Sequence, residues 1–229
     1  MKIIVSGMRD AGNIRDVAAL GVDYIALDFN PKSPRAVTMT PTHAGIIPDK
    51  ASPTRGKLGG TAMVGVFVDE MPQNIITRVV NFGLDVVRLD GSEMPTLIRN
   101  LRHTIDPDLH PGLQIWKTIV LPASADRDAC REVFAFASQY ESCVDALRFV
   151  IRSSGEDGSG GHSDWSVLDD YDGPLPFILS GAIGPDDATR IRTYSHSRFM
   201  GFDLDSRFEA TPGMMDVQEL KSFTEQLKR

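Results

Sequence analysis

Residues 177–187 read Phe177-Ile178-Leu179-Ser180-Gly181-Ala182-Ile183-Gly184-Pro185-Asp186-Asp187. A short apolar run ends at Ser180, two glycines bracket a turn, and Pro-Asp-Asp opens a helix. The proline ring presets the backbone of a first helical turn, and the aspartates face its exposed amides and positive dipole end. The stretch therefore predicts a strand at 177–180 and a helix at 185–192. The same unit repeats in both directions. Short apolar runs predict strands at 3–6, 24–29, 63–68, 86–89, 114–120, 146–151 and 201–204. Apolar residues at helical spacing predict helices at 13–20, 73–82, 126–139 and 217–227.

Eight strands alternating with helices call for a parallel sheet. Eight units favour closure into a single (β/α)8 TIM barrel over its competitor, an open doubly wound sheet. A length of 229 residues fits one such α/β domain spanning 1–229. The stretch 48–60 mixes Pro, Gly, Ser and charge. It reads as a long loop or a degenerate helix within that domain, not as a boundary.

The net charge of −7 and the lack of a basic stripe point away from nucleic acid and from anionic membranes. No run approaches the ~18 apolar residues of a membrane span. The opening Met-Lys-Ile-Ile-Val-Ser enters a strand pattern without the apolar core of a secretory signal. Two cysteines, Cys130 and Cys143, make no disulfide framework, so the expectation is a reducing cytoplasm. The five histidines show no metal spacing, and Trp116 and Trp165 read as packing residues.

Barrels of this kind work at the C-terminal ends of their strands. Three segments there suit an anion: Gly158-Ser159-Gly160-Gly161, Ser180-Gly181-Ala182-Ile183-Gly184, and Asp203-Leu204-Asp205-Ser206-Arg207. Glycines let backbone amides approach a phosphate, and a helix start adds a favourable dipole. Strand alternation turns Leu27, Phe29, Val87, Leu89, Leu147, Phe149 and Ile151 outward. It turns Asp28, Asn30, Arg88, Asp90, Arg148 and Val150 into the mouth.

These segments resemble the phosphoribosylanthranilate isomerase family. Ser6-Gly7-Met8-Arg9-Asp10 is similar to its Cys-Gly-Met-Thr/Arg-Asp, and Pro31-Lys32-Ser33-Pro34-Arg35 to its Pro-x-Ser-Pro-Arg. Gly65-Val66-Phe67-Val68 matches a third strand, and Leu89-Asp90-Gly91-Ser92-Glu93 resembles Leu-His-Gly-x-Glu. Gly158-Ser159-Gly160 with Asp164-Trp165, Leu179-Ser180-Gly181 and Asp203…Glu209 complete the order. The resemblance implies a TIM barrel of tryptophan biosynthesis that performs an Amadori rearrangement of N-(5′-phosphoribosyl)anthranilate. A general acid opens the ribose ring and a general base takes the C2′ proton, with no metal or organic cofactor. It further implies that Arg35 and Lys117 contact substrate. The phosphate would be held by Gly158, Ser159, Gly160, Gly181 and Ser206, with Ala182 and Asp203 in the same segments.

Both proton-transfer positions depart from that pattern. The family's cysteine base is Ser6, whose hydroxyl needs a base of its own, and the lysine two residues earlier is Ile4. The aspartate acid falls on Val150, while Asp145 sits at the wrong end of its strand. Replacements could come from Glu156 or Asp157, or from Asp28 or Asp90. Buried charges need partners, so Asp28, Arg88, Asp90 and Arg148 either neutralise one another or, with Arg88 and Arg148 contacting substrate, form a rebuilt site. The expectation is weak or absent isomerase activity. Its alternative is a paralogue that binds a phosphorylated sugar, inactive or acting on a different one. Either protein is a monomer or a homodimer.

Overall fold

Apolar side chains at alternate strand positions must fill two layers, one inside a closed sheet and one beneath helices. A computed structural model describes residues 1–37, 57–106, 108–122, 126–151, 164–181 and 183–228. Its strands are β1 (Lys2–Ser6), β2 (Tyr24–Asp28), β3 (Lys57–Leu58), β4 (Thr61–Phe67), β5 (Val86–Leu89), β6 (Gln114–Leu121), β7 (Ala146–Ile151), β8 (Phe177–Ser180) and β9 (Phe199–Leu204). The order runs β2-β1-β9-β8-β7-β6-β5-β4, and β2 pairs again with β4, so the parallel sheet closes into a barrel. The short β3 turns back antiparallel on β4. A hairpin of β10 (Glu209–Thr211) and β11 (Met214–Met215) follows the last barrel strand.

Helices α1 (Ala11–Ala18), α2 (Pro72–Phe82), α3 (Pro95–Ile105), α4 (Arg127–Ala137), α5 (Ala188–Thr193) and α6 (Val217–Leu227) follow strands. Asp10, Asp126 and Asp216 cap α1, α4 and α6 by accepting amide hydrogens of their first turns. The helix expected at 185–192 begins as a 3-10 turn, Pro185–Asp187, that runs into α5. No helix was expected where α3 lies. Its buried residues Ile98, Leu101 and Ile105 keep helical spacing, but Arg99, Asn100, Arg102 and His103 separate them. Between β7 and β8 the described chain forms a 3-10 helix, Trp165–Asp170. Most of the stretch read as a loop or degenerate helix, 48–60, lies outside the described residues.

The interior layer comprises Ile4, Ala26, Val64, Val66, Val86, Trp116, Ala146 and Ile178. Trp116 meets Tyr24 edge-on at 4.9 Å. Between barrel and helices lie Val5, Leu27, Val87, Leu89, Leu147, Phe149, Leu179 and Phe202. Two residues beyond the interior layer the same inward face carries Ser6, Asp28, Arg88, Thr118, Arg148 and Ser180. The hydrophobic floor thus forces a polar ring at the mouth.

Trp116 and Thr118 face inward, so Lys117 faces outward. Its ammonium donates to the carbonyls of Leu89 (3.1 Å) and Gly91 (2.6 Å) and to Glu93 (3.0 Å). The expected substrate contact of Lys117 is therefore corrected: alternation places it beneath the turn after β5, away from the mouth. The Lys117–Glu93 side chains are 2% and 1% exposed. Removing one member of such a pair leaves a buried charge. Glu93→Ala is expected to cost about 3 kcal/mol in urea unfolding. A loss below ~1 kcal/mol would show that the two carbonyls satisfy Lys117 without the carboxylate.

Candidate active site

Asp203 occupies the inward face of β9 and is fully buried. Its carboxylate accepts from Ser6 Oγ at 2.6 Å, from Arg88 Nη1 at 3.1 Å and from Arg148 Nε at 2.6 Å. Arg88 Nη1 also donates to Ser6 Oγ at 2.8 Å. Across the ring, Arg88 reaches Asp90 through Nε (3.0 Å) and Nη2 (3.2 Å), and Thr118 Oγ1 donates to the same carboxylate at 2.5 Å. Arg148 Nη2 donates to Ser180 at 2.7 Å, and its Nη1 lies 3.9 Å from Asp90. Six strand ends therefore meet in one hydrogen-bonded ion cluster.

Burial alone would raise the Asp90 carboxyl. Arg88, Arg148 and the Thr118 hydroxyl outweigh it and hold the group below its ordinary value. Burial would likewise lower Arg148, but Asp203, Asp90 and Asp205 raise it, so its charge is secure.

Above the cluster lies a cavity of about 140 Å³ lined by Ser6, Gly7, Asp28, Arg35, Val66, Arg88, Arg148, Asp205 and Ser206. Arg35 enters from the loop after β2 and forms a two-pronged pair with Glu209, both contacts at 2.6 Å. That hydrogen-bonded pairing raises the guanidinium further. Gly7 makes room for it. At φ 82 a side chain is strained there, and a Cβ would sit 2.6 Å from Arg35 Cδ. Asp28 accepts the Asn30 amide at 2.9 Å.

The structure brings together Ser6, Asp28, Asp90, Arg35, Arg88, Arg148 and Ser206 from the residues expected at the site. It does not bring Lys117. The reading of Asp203 as a phosphate contact is corrected too: both its oxygens are committed to donors, and a buried carboxylate repels an anion. Gly181 stands at φ 103, where a Cβ would collide with the Ile151 carbonyl, so the turn after β8 needs glycine. Gly158, Ser159, Gly160 and Ala182, with Glu156 and Asp157, lie outside the described residues. Asp145 is confirmed at the far end of β7, where it accepts the Ile115 amide at 2.6 Å and Arg102 at 2.7 Å. Val150 lies in register with Val120 and Ser180, without a proton to give.

Sequence reading missed Thr118 and Glu209 as site residues, and named Asp205 and Ser180 only within anion-binding segments, without a role of their own. Alternation offered a signal for three of them: Thr118 and Ser180 follow Trp116 and Ile178 by two, and Asp205 follows Asp203 by two. Among the described residues, no group of three or more His, Cys, Asp or Glu is placed to hold a metal ion.

The sequence profile described as N-(5′phosphoribosyl)anthranilate (PRA) isomerase matches residues 4–226. The N-(5′-phosphoribosyl)anthranilate isomerase of Parabacteroides distasonis is 36% identical, over 99% of this chain and 93% of its own. The protein of that name from Phocaeicola vulgatus is 31% identical over 100% and 98%. The crystal structure of the Thermotoga maritima isomerase superposes with a TM-score of 0.76 at 22% identity, covering 100% of this chain and 98% of that one. A second, in complex with reduced 1-(o-carboxyphenylamino)-1-deoxyribulose 5-phosphate, gives 0.73 at 22%, over 100% and 98%. The structural likenesses establish the shared barrel. The full-length profile match and the 36% identity establish that this chain belongs to the N-(5′-phosphoribosyl)anthranilate isomerase family.

Proposed function

We propose that the chain takes a phosphorylated sugar at the mouth of its barrel but isomerises N-(5′-phosphoribosyl)anthranilate weakly or not at all. One observation carries this reading: the Ser6 hydroxyl is locked, donating to Asp203 at 2.6 Å and accepting from Arg88 at 2.8 Å. A hydroxyl receiving a guanidinium hydrogen bond is a poor proton acceptor, and its own proton is already committed. At the second proton-transfer position Val150 has nothing to donate. Proton transfer contributes roughly 10²–10⁴-fold per group, so losing both removes on the order of 10⁴-fold or more.

Ligand binding rests on the cavity and its surroundings. Arg35, Arg88, Arg148 and Ser206 border it, and this reading assigns the phosphate to Ser206 and the turn at Gly181. About 140 Å³ accommodates one end of a ligand, since whole drug-sized ligands need roughly 300 Å³ or more. A second reading, a binding paralogue without isomerase chemistry or with a different sugar phosphate as substrate, is favoured by the Arg88–Asp90–Asp203–Arg148 cluster. That cluster completes its own hydrogen bonds and does not depend on a ligand for charge balance. Either protein functions as a monomer or a homodimer without a bound metal or organic cofactor.

A coupled fluorescence assay with freshly made phosphoribosylanthranilate is expected to give kcat/KM about 10⁴-fold below a fully active relative. Turnover comparable to such a relative sinks the reading. In the same assay Ser6→Cys with Val150→Asp is expected to gain at least ~10-fold, because a thiol beside Arg88 can ionise. No gain would mean that the mouth charges keep the anthranilate ring out. Calorimetry with reduced 1-(o-carboxyphenylamino)-1-deoxyribulose 5-phosphate separates binding from chemistry. Saturable binding by the wild type is expected, and absence of binding removes the ligand reading.

A further inference from the structure

Proton transfer needs a group that faces the ligand, is free to give and take a proton, and titrates above the ordinary carboxylate range. The carboxylates around the mouth can be compared one by one. Asp203 accepts from Ser6, Arg88 and Arg148. Asp90 accepts twice from Arg88 and once from Thr118. Glu209 holds Arg35 and the Gly213 amide. Asp28 accepts the Asn30 amide. Asp205 differs. It lines the cavity, and among the described residues its carboxylate accepts one hydrogen bond, a long contact from Ser206 Oγ at 3.5 Å. It lies just past the end of β9, two residues beyond Asp203, on the same inward side.

We propose that Asp205 is the proton-transfer residue of this cavity, acting first as acid and then as base on N-(5′-phosphoribosyl)anthranilate. The inference rests on the reading that this ligand class enters the mouth. The Asp205 carboxylic acid gives its proton to the ribose ring oxygen as the C1′–O bond breaks. The nitrogen lone pair forms an iminium at C1′, and a carboxylate is left. That carboxylate removes the C2′ proton, and the C2′–H electrons make the C1′–C2′ double bond while the iminium electrons return to nitrogen. The resulting enol-amine tautomerises to the 1-amino-ketose. Asp205 ends protonated, as it began, so no co-reactant is required.

The electrostatics agree with this geometry. Burial and the neighbouring Asp203 push the Asp205 carboxyl above its ordinary 3.8, and Arg148, Arg35 and Arg88 oppose the shift without cancelling it. Among the described residues, the charged groups facing it are Asp28 on β2, Arg35 on the following loop, Arg88 on β5, Arg148 on β7 and Asp203 on β9. The acid form starts the reaction, so kcat/KM should fall as pH rises through the raised value. For stability the sign is the same. A carboxyl whose folded value is raised contributes fully below 3.8, and that contribution is lost as pH rises through the folded value. Asp205→Asn should therefore raise Tm at neutral pH, which keeps unfolding from imitating a catalytic defect.

The test measures phosphoribosylanthranilate consumption at high enzyme concentration for the wild type, Asp205→Asn, Asp205→Ser and Asp28→Asn, across pH. The expected result is a slow wild-type rate that falls at least ~10²-fold in both Asp205 variants, with the descending pH limb lost. Residual turnover that survives in Asp205→Asn overturns the proposal. So does a wild-type rate no greater than buffer, or a loss that follows Asp28→Asn while Asp205→Asn stays active. The weak-activity reading fails separately. Fast wild-type turnover abolished by Asp205→Asn sinks that reading and keeps Asp205, whereas a silent wild type keeps that reading and removes Asp205.

Discussion

The Asp203 carboxylate receives hydrogen bonds from Ser6, Arg88 and Arg148 at the centre of the barrel mouth, with its side chain wholly out of solvent. Two buried guanidiniums cannot share one small ring unless anions lie between them. Asp203 neutralises one side of the pair and Asp90 the other. Without Asp203 the two cations would share Asp90 alone above a nonpolar floor of Val66, Val86 and Ala146, at a cost of several kcal/mol. The conformations of Ser6, Ser180 and Thr118 follow from this arrangement, because each hydroxyl fills a hydrogen bond that the charges leave open.

The cluster also accounts for Ser6 itself. A serine hydroxyl can donate to Asp203 and accept from Arg88 at once, at 2.6 and 2.8 Å. A thiol is a weaker partner in both directions. Arg88 on β5 and Ser6 on β1 therefore make one physical unit, 82 residues apart in sequence. Once an arginine occupies the inward position of β5, serine satisfies it better than cysteine does, and basicity is what the exchange gives up.

Much of this was legible in the chain. Apolar alternation located all eight barrel strands and turned Arg88 and Arg148 inward, because a slip of one residue would have exposed an entire apolar face. Helix α3 escaped because its three buried positions are diluted by Arg, Asn and His. Lys117 was misplaced by resemblance, although alternation against Trp116 already pointed it outward. The role of Asp203 was hidden for a different reason. Its partners lie 55, 115 and 197 residues away, and nothing local says which of several inward carboxylates they will choose. Proximity to Ser206 made it look like part of an anion loop, whereas closure of the barrel makes it the counter-ion.

The charge balance of the mouth then bears on what it can admit. Among the described residues, Asp28, Asp90, Asp203, Asp205 and Glu209 confront Arg35, Arg88 and Arg148. With all of these ionised, their balance is acidic and resists an anionic ligand. Taking up a proton at Asp205 relieves that excess where the cavity opens. A phosphate held near Ser206 would add negative charge beside Asp205 and push its proton affinity higher still. Ligand entry and protonation of Asp205 would therefore reinforce each other: a neutral carboxyl admits an anion more readily, and a seated anion raises the proton affinity of the carboxyl. On the role proposed for Asp205, the coupling would place a proton beside a bound sugar, supplied by the electrostatics of the mouth and not by a dedicated acid on β7.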